Sequence, residues 1–259
     1  MPVPDYSPDI LDPIARGDGR EGLPAKYLGG MYGHDVWHAY ELSWLGNTGR
    51  PESRVGRLVI PANSPCIPES KSLKLYLNSL NSERFENASE YSARVTQDLQ
   101  RVVGAPVSFT LFSVDAAEVA GAPLRGQCID QLEAGDIPAQ PTAGLLRAEA
   151  PQVIDQSLHS HLFRSLCPVT GQPDWATVRV TYSGTSIAPE SLLAYLLSFR
   201  DHQEFHEQCV ERIFCDVSAS CAPKILTVEA FFARRGGLDI SPVRSSESDL
   251  PAPRRLIRQ

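Results

Sequence analysis

One cysteine stands where the chain would hold a reactive thiol firmly. Cys167 leaves a predicted strand and Asp174 enters the next one, with two prolines and a glycine between them. A rigid turn fixes the direction of the side chains it carries. Cys167 is therefore a candidate nucleophile, and Asp174 is a candidate proton donor to whatever the thiolate attacks. The alternative for Cys167 is a buried structural cysteine, which is the commoner fate of this residue type.

A histidine and an acid are adjacent on a predicted helix of the second half. Because His206 and Glu207 are neighbours in the sequence, their side chains point about 100° apart and can border one pocket. His206 and Cys209 share a helix face, as metal ligands can. No His or Cys pair has zinc-finger spacing, however, so the sequence predicts no metal. A solvated charged helix with one capping histidine explains the same residues.

Two further segments could bind an anion. The run from Glu69 to Ser72 begins a predicted helix, where Ser70 or Ser72 could be the N-cap and Lys71 would attract phosphate. The run from Arg234 to Gly237 ends a predicted strand, and arginines beside glycines suit phosphate recognition. An ordinary amphipathic helix start and a solvated turn are the alternatives. The sequence contains no G-x-G-x-x-G, Walker-type or G-x-S-x-G motif.

Composition limits the classes of protein to consider. The chain of 259 residues is 42% hydrophobic and 21% charged, with a net charge of −7, which is ordinary for a globular protein and unfavourable for wrapping nucleic acid. No apolar run reaches the roughly 20 residues of a membrane span, and residues 1–20 do not resemble a secretory signal. Six cysteines in such a chain are expected to be reduced thiols. We expect a cytoplasmic protein that binds neither membrane nor nucleic acid directly.

Turn and periodicity signals predict one β-β-α-α-β plan, repeated twice. In the first half, strands are predicted at 36–44, 54–60 and 107–114, and helices at 70–80 and 87–103. In the second half, strands are predicted at 158–166, 176–182 and 225–234, and helices at 189–199 and 204–220.

The letters repeat along with the elements. Pro68-Glu69-Ser70 and Pro189-Glu190-Ser191 precede similar Tyr-Leu segments at an offset of about 120 residues. The expected fold is α+β, with two tandem modules that each pair an antiparallel sheet with two helices on one face. The expected divisions are an extended arm at 1–34, modules at 35–115 and 152–242, a connection at 116–151 and a loose tail at 243–259.

Taken in order, the motifs resemble those of the NADPH-dependent 7-cyano-7-deazaguanine reductases in their two-module form. The similarity covers about residues 35–245, and the Glu-Ser-Lys-Ser-x-Lys run is its most specific part. The resembling segments are Tyr40–Trp44, Ile60–Pro65, Glu69–Tyr76, Cys167–Trp175, Ser198–Arg200, Glu204–Phe214 and Arg234–Ile240. The resemblance implies tunnelling-fold (T-fold) modules, a homodimer, and NADPH-dependent reduction of a nitrile to an amine on the route to the tRNA nucleoside queuosine.

The resemblance also implies a role for each site residue. Cys167 would attack the nitrile carbon of 7-cyano-7-deazaguanine to give a thioimide, and Asp174 would protonate the nitrogen. The implied substrate contacts are Pro68, Glu69, Ser70, His206 and Glu207. The implied NADPH contacts are Ser70, Lys71, Arg235 and Gly236. Because these residues come from both halves, one site is expected where the two modules meet.

Three other functions remain open from the residues alone. A cyclohydrolase related to GTP cyclohydrolase would share the fold but need a metal site or a different acid–base set. A cysteine hydrolase using Cys167 and His206 would release an acid instead of an amine. A purine-binding module without catalysis would follow if Cys167 were inert.

Overall fold

The fold is built around one long sheet with helices packed on it. A computed structural model describes residues 5–259. Its strands are β1 (Pro13–Ala15), β2 (Tyr32–Leu45), β3 (Pro51–Pro61), β4 (Cys66–Pro68), β5 (Ser108–Phe112), β6 (Gly121–Ala122), β7 (Gln127–Cys128), β8 (Ala148–Leu166), β9 (Pro173–Ile187), β10 (Ile225–Phe232), β11 (Leu238–Ser245) and β12 (Arg255–Leu256). Its helices are α1 (Arg16–Arg20), α2 (Ala25–Leu28), α3 (Ser70–Ser79), α4 (Ala88–Val103), α5 (Pro189–Leu197) and α6 (His206–Cys221).

Eight strands form the main sheet, in the order β5-β3-β2-β11-β10-β9-β8-β7. Neighbouring strands are antiparallel except β7 and β8, which run parallel. The strands of each half are neighbours in this order, and the two halves of the sheet meet where β2 pairs with β11. The predicted α+β class is confirmed, and the strands of both halves belong to one continuous sheet.

Helices pack on the sheet over two separate hydrophobic cores. The first core includes Trp44, Tyr76 and Tyr91, with α3 and α4 against the strands of the first half. The second core includes Tyr195 and Phe199, with α5 and α6 against β8, β9 and β10. Each large apolar side chain buried in this way contributes about 1.5–3 kcal/mol. The space between the two cores is therefore bounded by rigid elements on both sides.

Helix ends follow the local sequence signals closely. The Asn87 side chain accepts the backbone N–H of Glu90 at 3.0 Å, which starts α4. Gly104 ends α4 with φ 69°, and its N–H donates to Gln100 O at 3.0 Å. The predicted helix at 87–103 is confirmed, as is the predicted helix that becomes α3.

The strands are longer than predicted wherever the sheet contains bulges. β8 begins at Ala148, inside the segment that was expected to be a connection, and runs for 19 residues. Its pairing with β9 shifts register three times along that length. Each shift breaks the two-residue alternation by which a strand is recognised in a sequence. Periodicity therefore identified the part of β8 around residues 158–166 and missed its beginning.

The prediction of an extended N-terminal arm is wrong for the described residues 5–34. β1 pairs with β4, and Arg16 on α1 is buried against Asp35 and donates to Ser64 Oγ at 3.0 Å. A Pro-, Gly- and charge-rich composition hides this packing, because it depends on ion pairs with residues far along the chain.

The prediction of a loose tail at 243–259 is also wrong. β11 continues to Ser245 between β10 and β2, so its polar residues are buried on both sides. At the chain end, the Gln259 amide donates to Phe232 O at 3.1 Å and to Ser241 Oγ at 2.9 Å. The polar sequence of this segment suggested a loose tail, but strand pairing and side-chain hydrogen bonds provide partners for its polar groups and hold it in the fold. Within residues 5–259, no helix is long and apolar enough to cross a bilayer.

Candidate active site

The ten predicted site residues all line one cavity of about 480 Å³ between the two cores. They are Pro68, Glu69, Ser70, Lys71, Cys167, Asp174, His206, Glu207, Arg235 and Gly236. The first half supplies the start of α3, and the second half supplies the β8–β9 turn, the start of α6 and the turn before β11. Their roles stay predictions, but the structure brings all ten together.

Cys167 lies in a turn whose donors face its sulfur. The turn is closed by hydrogen bonds from Cys167 N to Gln172 O at 2.9 Å and from Gly171 N to Cys167 O at 2.8 Å. Partial burial raises the pKa of the thiol, but hydrogen bonds from the Thr170 hydroxyl and the N–H groups of Thr170 and Val169 outweigh it. With the charge of Arg235, they lower the pKa below its ordinary value. The turn therefore favours the thiolate, which is the nucleophilic form.

Asp174 is buried at the start of β9 and held by two partners. His206 Nε2 lies 3.1 Å from Asp174 Oδ2. Arg235 makes an ion pair with Asp174 Oδ1, without the geometry of a hydrogen bond. Since Asp174 is only 3% exposed, these contacts fix the carboxyl group beside the Cys167 turn.

The imidazole of His206 is held flat against an aromatic ring. It stacks on Phe232 with ring centroids 3.7 Å apart and planes 9° from parallel. Burial lowers the pKa of His206 to about 4, although Glu207 opposes the shift, so the ring is neutral at physiological pH. Its Nδ1 is buried with no partner among the described residues. A ligand in the cavity could therefore form a hydrogen bond with this nitrogen.

Glu207 is a buried carboxyl group with a strongly perturbed titration. Burial, and next the nearby Asp35, raise its pKa to about 7, while His206 and Arg16 act in the opposite direction. Its Oε1 is buried without a partner within residues 5–259. An unpartnered buried oxygen costs about 1–3 kcal/mol, and a ligand N–H would remove that cost. The alternative of a solvated helix does not hold for Glu207, which is 2% exposed.

Behind Glu207 lies a buried ion network that ties four elements together, namely α1, β2, α6 and β11. Arg244 on β11 donates to Asp35 Oδ1 at 2.7 Å and to Glu211 Oε1 at 2.8 Å. Arg20 on α1 donates to both oxygens of Glu211 at 2.8 Å. Because Glu211 follows Glu207 by one helical turn, this network fixes the part of α6 that carries the site.

Glu69, rather than a serine, is the N-cap of α3. Its carboxylate accepts the backbone N–H of Lys71 at 2.9 Å and that of Ser72 at 2.7 Å. The expectation that Ser70 or Ser72 caps the helix is therefore wrong. The positive end of α3 is neutralised by a carboxylate of the same chain, which holds Glu69 rigidly with its oxygens at the cavity wall.

The rim of the cavity is basic. Lys71 and Lys74 lie on α3, and Arg235 and Gly236 line the same cavity, with Gly236 directly beside the Lys74 side chain. Arg235 and Leu238 close a tight turn in which Gly236 and Gly237 have φ values of 57° and 82°. Positive φ at both central residues favours glycine there. Lys71, Lys74 and Arg235 provide the donors that phosphate groups require.

Sequence reasoning missed several residues of this cavity. Trp37 on β2 lines it, and the indole Nε1–H is buried without a partner among the described residues. Thr170 and Lys74 were part of motifs already singled out but were not chosen. Conversely, Arg234 points away, stacking its guanidinium 3.5 Å from the centroid of Tyr40, and Cys209 is buried in the second core. The packing of strands, helices and turns against one another, which the sequence alone does not show, decides which of these side chains face the cavity.

Comparison with known proteins identifies the family. Residues 3–111 match a family model described as "Nitrile reductase, 7-cyano-7-deazaguanine-reductase N-term", and residues 173–250 match one described as "QueF-like protein". Proteins named NADPH-dependent 7-cyano-7-deazaguanine reductase in Acinetobacter baumannii strains AYE and ACICU are each 47% identical over 256 residues, covering 98% of this chain and 94% of theirs.

A solved structure, that of the archaeosine synthase QueF-Like in the apo form, is 21% identical and aligns over 40% of this chain and 100% of its own, with a TM-score of 0.33. At that score neither fold can be assigned from the other. The similarity to the curated relatives extends well beyond the predicted span of about 35–245. The resemblance stated from the motifs is confirmed: the chain belongs to the NADPH-dependent 7-cyano-7-deazaguanine reductase family.

Proposed function

We propose that this protein reduces the nitrile of 7-cyano-7-deazaguanine to the primary amine of 7-aminomethyl-7-deazaguanine, using NADPH, in the pathway to queuosine. The observation that carries the proposal is the pairing of Cys167, in a turn that favours its thiolate, with the buried carboxyl group of Asp174 in the same cavity. A nitrile carbon is an electrophile, and its nitrogen needs a proton as the carbon is attacked.

The first step uses Cys167 and Asp174 together. The Cys167 thiolate adds to the nitrile carbon, so that one C–S bond forms and one C–N π bond breaks. Asp174 takes the proton that leaves the Cys167 thiol and passes it to the nitrogen, giving a neutral thioimide bonded to the enzyme and returning Asp174 to the ionised form that pairs with Arg235. The contacts of Asp174 with His206 and Arg235 keep its carboxyl group in place beside the turn, so the donor is oriented before substrate enters.

The basic rim fits the phosphate groups of NADPH. Lys71, Lys74 and Arg235 would hold these phosphates, and the Gly236–Gly237 turn lets the backbone approach closely. NADPH supplies hydride when bound, and because nitrile to amine is a four-electron reduction, two equivalents are consumed per amine formed. This chain's residues must also release the sulfur after the first reduction and keep water from the imine that results.

The cavity wall supplies acceptors for the guanine-like edge of the substrate. That edge carries a ring N–H and an amino group, and both are donors. Oε1 of Glu207 is buried and lacks a partner among the described residues, and Glu69, which lines the same cavity, is held in place by its capping bonds. We propose that these two acids and His206 form hydrogen bonds with the guanine-like edge, and that Pro68 and Ser70 also contact the substrate.

A cysteine hydrolase is the second candidate, but the contacts of His206 disfavour it. A hydrolase would use the histidine as a base toward Cys167 or toward water. Here His206 stacks on Phe232 and its Nε2 faces Asp174, while burial holds its pKa at about 4. A base with so low a pKa would be a poor proton acceptor at neutral pH.

The larger organisation belongs to the same proposal. Two cores that each carry two helices on one sheet support two tandem T-fold modules, at about residues 35–115 and 152–242. We propose that the protein acts as a cytoplasmic homodimer on the free base, without contacting nucleic acid. Sedimentation or light scattering of the purified protein would measure its oligomeric state, and a monomer at working concentration would refute the dimer.

Turnover with measured stoichiometry tests the proposed reaction. Purified protein is mixed with 7-cyano-7-deazaguanine and NADPH, and both cofactor absorbance and product mass are followed. We expect two NADPH consumed per amine, no consumption by Cys167→Ala, and full activity in the control Cys66→Ser, whose thiol lies outside the cavity. A carboxylic acid product formed without NADPH would establish the hydrolase instead, and binding without turnover would establish a binding module.

A further inference from the structure

A second group of chemically capable side chains lies at the far edge of the sheet. Cys128, His159 and His161 each offer one atom, a sulfur or a ring nitrogen, and these atoms all lie within 4.8 Å of one another. They come from the parallel strands β7 and β8 at the end of the sheet order. None of the three lines the cavity of the proposed active site.

Strand pairing brings the three residues together. Cys128 and His159 are directly paired across β7 and β8. His159 and His161 are two residues apart on an extended strand, a spacing that directs both side chains to one face. Their rings meet edge to face, with centroids 5.1 Å apart and planes at 70°. Spacing along the chain gave no hint of the group, because β pairing joins residues 128 and 159.

The two imidazoles are prepared as ligands. His161 Nδ1 lies 2.9 Å from Thr177 Oγ1, so its other ring nitrogen is the one left free. This is the arrangement in which a second partner orients a metal-binding histidine. His159 is only 6% exposed, and its Nδ1 is buried with no partner within residues 5–259. Both oxygens of Asp130 accept the His161 backbone N–H at 3.1 Å, which fixes the strand at this point.

The group lies on the opposite face of the sheet from the catalytic candidates. His159 pairs with Arg179 on β9, and Arg179 forms an ion pair with Glu229 outside the two hydrophobic cores. Asp174 is separated from Arg179 by an odd number of residues, so in a regular strand it points to the other face, the one on which Val178 and Val180 enter the second core. The group is thus chemically independent of the nitrile site.

We propose that Cys128, His159 and His161 bind one divalent transition-metal ion of the zinc class, with a fourth position open to water or a small anion. A thiolate and two imidazoles are the ligands such ions prefer, whereas Mg²⁺ and Ca²⁺ prefer oxygen. Zinc bonds of about 2.3 Å to sulfur and 2.0 Å to nitrogen place ligand atoms about 3.3–3.5 Å apart in a tetrahedral site. The three atoms lie within 4.8 Å of one another, so closure by at most about 1.5 Å completes the site. Binding releases the proton of Cys128 as its thiolate joins the metal.

The expected consequence is a cross-link between a weakly structured segment and the sheet. β7 is two residues long, and residues 113–147 contain little other regular structure. An ion that binds the folded state and not the unfolded chain stabilises the fold by mass action. The thermal midpoint should therefore rise with zinc concentration, and it should do so whether or not the nitrile site is active.

Cobalt(II) titration tests the site, because a thiolate ligand gives a charge-transfer band in the near ultraviolet. The protein is reduced and stripped with a chelator, and the Cys167→Ala variant is used so that the nitrile site offers no thiolate. We expect one cobalt per chain, displaced by zinc, and no band after Cys128→Ser is added. Adding Cys66→Ser, the matched control, should leave the band unchanged. An absent band, or one that survives Cys128→Ser, overturns the proposal.

Zinc-dependent thermal stability gives a second readout in chains that keep Cys167. The midpoint should rise in the wild-type protein and in Cys66→Ser, and should not rise in Cys128→Ser or His161→Gln. Nitrile reduction by metal-free Cys128→Ser should equal that of the wild type, which shows that the variant is folded. An equal zinc-induced shift in Cys128→Ser and wild type would contradict the proposal.

Discussion

Glu207 and Cys167 are perturbed in opposite senses, and each perturbation suits a different task. The pKa of the Cys167 thiol is lowered because hydrogen bonds and a nearby charge outweigh its burial. The pKa of Glu207 is raised because burial and Asp35 outweigh the opposing influence of His206 and Arg16. The first change favours an ionised nucleophile, and the second leaves an acid that gains most when a donor ligand arrives. Perturbed groups that converge in one cavity are typical of functional sites.

Binding of the substrate should depend on pH through Glu207. Below its pKa of about 7 the group is protonated, and ligand N–H donors must displace that proton to meet an ionised oxygen. The affinity of Cys167→Ala for 7-cyano-7-deazaguanine should rise with pH by up to about tenfold per unit and level off above that pKa. His206, with a pKa of about 4, stays neutral over the same range.

Calorimetry in buffers of different ionisation enthalpy measures both the affinity and the protons released. Glu207→Gln should bind more weakly and lose the pH dependence. An affinity of Cys167→Ala that stays constant from acid to mildly alkaline pH would refute the role given to Glu207.

At the scale of residues, the sequence predicted which side chains meet but not what each one touches. Motif letters were enough to choose ten residues that the fold brings to one cavity. They did not reveal that Glu69 caps α3 or that Trp37 lines the cavity with an Nε1 that has no partner among the described residues. Those facts depend on rotamers and strand register, which emerge only from packing.

At the scale of elements, the turn between β8 and β9 is the part on which the chemistry depends most. Its donors to Cys167 come from Thr170 and Val169, within the same short loop. Because the donors and Cys167 belong to one short loop, their relative positions depend little on the rest of the fold. A single substitution in this loop, outside Cys167 itself, therefore tests whether the loop stabilises the thiolate.

Thr170→Val removes the hydroxyl donor and keeps the side-chain shape. A hydrogen bond worth about 0.5–1.5 kcal/mol corresponds to a rise of up to about 1 unit in the pKa of Cys167. The rate of iodoacetamide alkylation at Cys167, followed by peptide mapping across pH, should therefore shift its midpoint upward. Thr170→Ser, which retains the hydroxyl, should behave as wild type. An unchanged midpoint in Thr170→Val would contradict the stabilising role of this turn.

Helices were predicted better than strands for a physical reason. Caps such as Asn87 and Gly104 are local signals, and they place the ends of α4 to within a residue. Strand ends depend on partners far along the chain, as β8 and β11 illustrate. β11 was missed altogether, because a strand buried between two others can contain polar residues that look like a tail.

At the scale of the whole molecule, the ion network around Arg244 holds the two halves and the N-terminal segment together. Arg244 is fully buried and pairs with both Asp35 and Glu211. These groups lie on β11, β2 and α6, so no reading of a single segment could reveal them. The sequence therefore predicted the two-part plan but not the contacts that join its parts.

Arg244→Met should destabilise the fold strongly, since it leaves two buried carboxylates short of a partner. The expected loss is about 3–5 kcal/mol in the free energy of unfolding, measured by chemical denaturation. Arg50→Met removes an ion pair with Glu52 from a side chain that is 78% exposed, and it should leave the free energy of unfolding nearly unchanged. Equal stability of the two variants would show that the network does not join the halves.

Intact-mass analysis of the protein mixed with 7-cyano-7-deazaguanine, without NADPH, tests the central claim most directly. If Cys167 is the nucleophile, the wild-type chain gains the mass of one substrate molecule, because the addition releases no atoms. Cys167→Ala should show no gain, and Cys66→Ser should show the full gain. An adduct that persists in Cys167→Ala would contradict the covalent mechanism. The absence of any adduct in a wild-type preparation that is active with NADPH would contradict it as well.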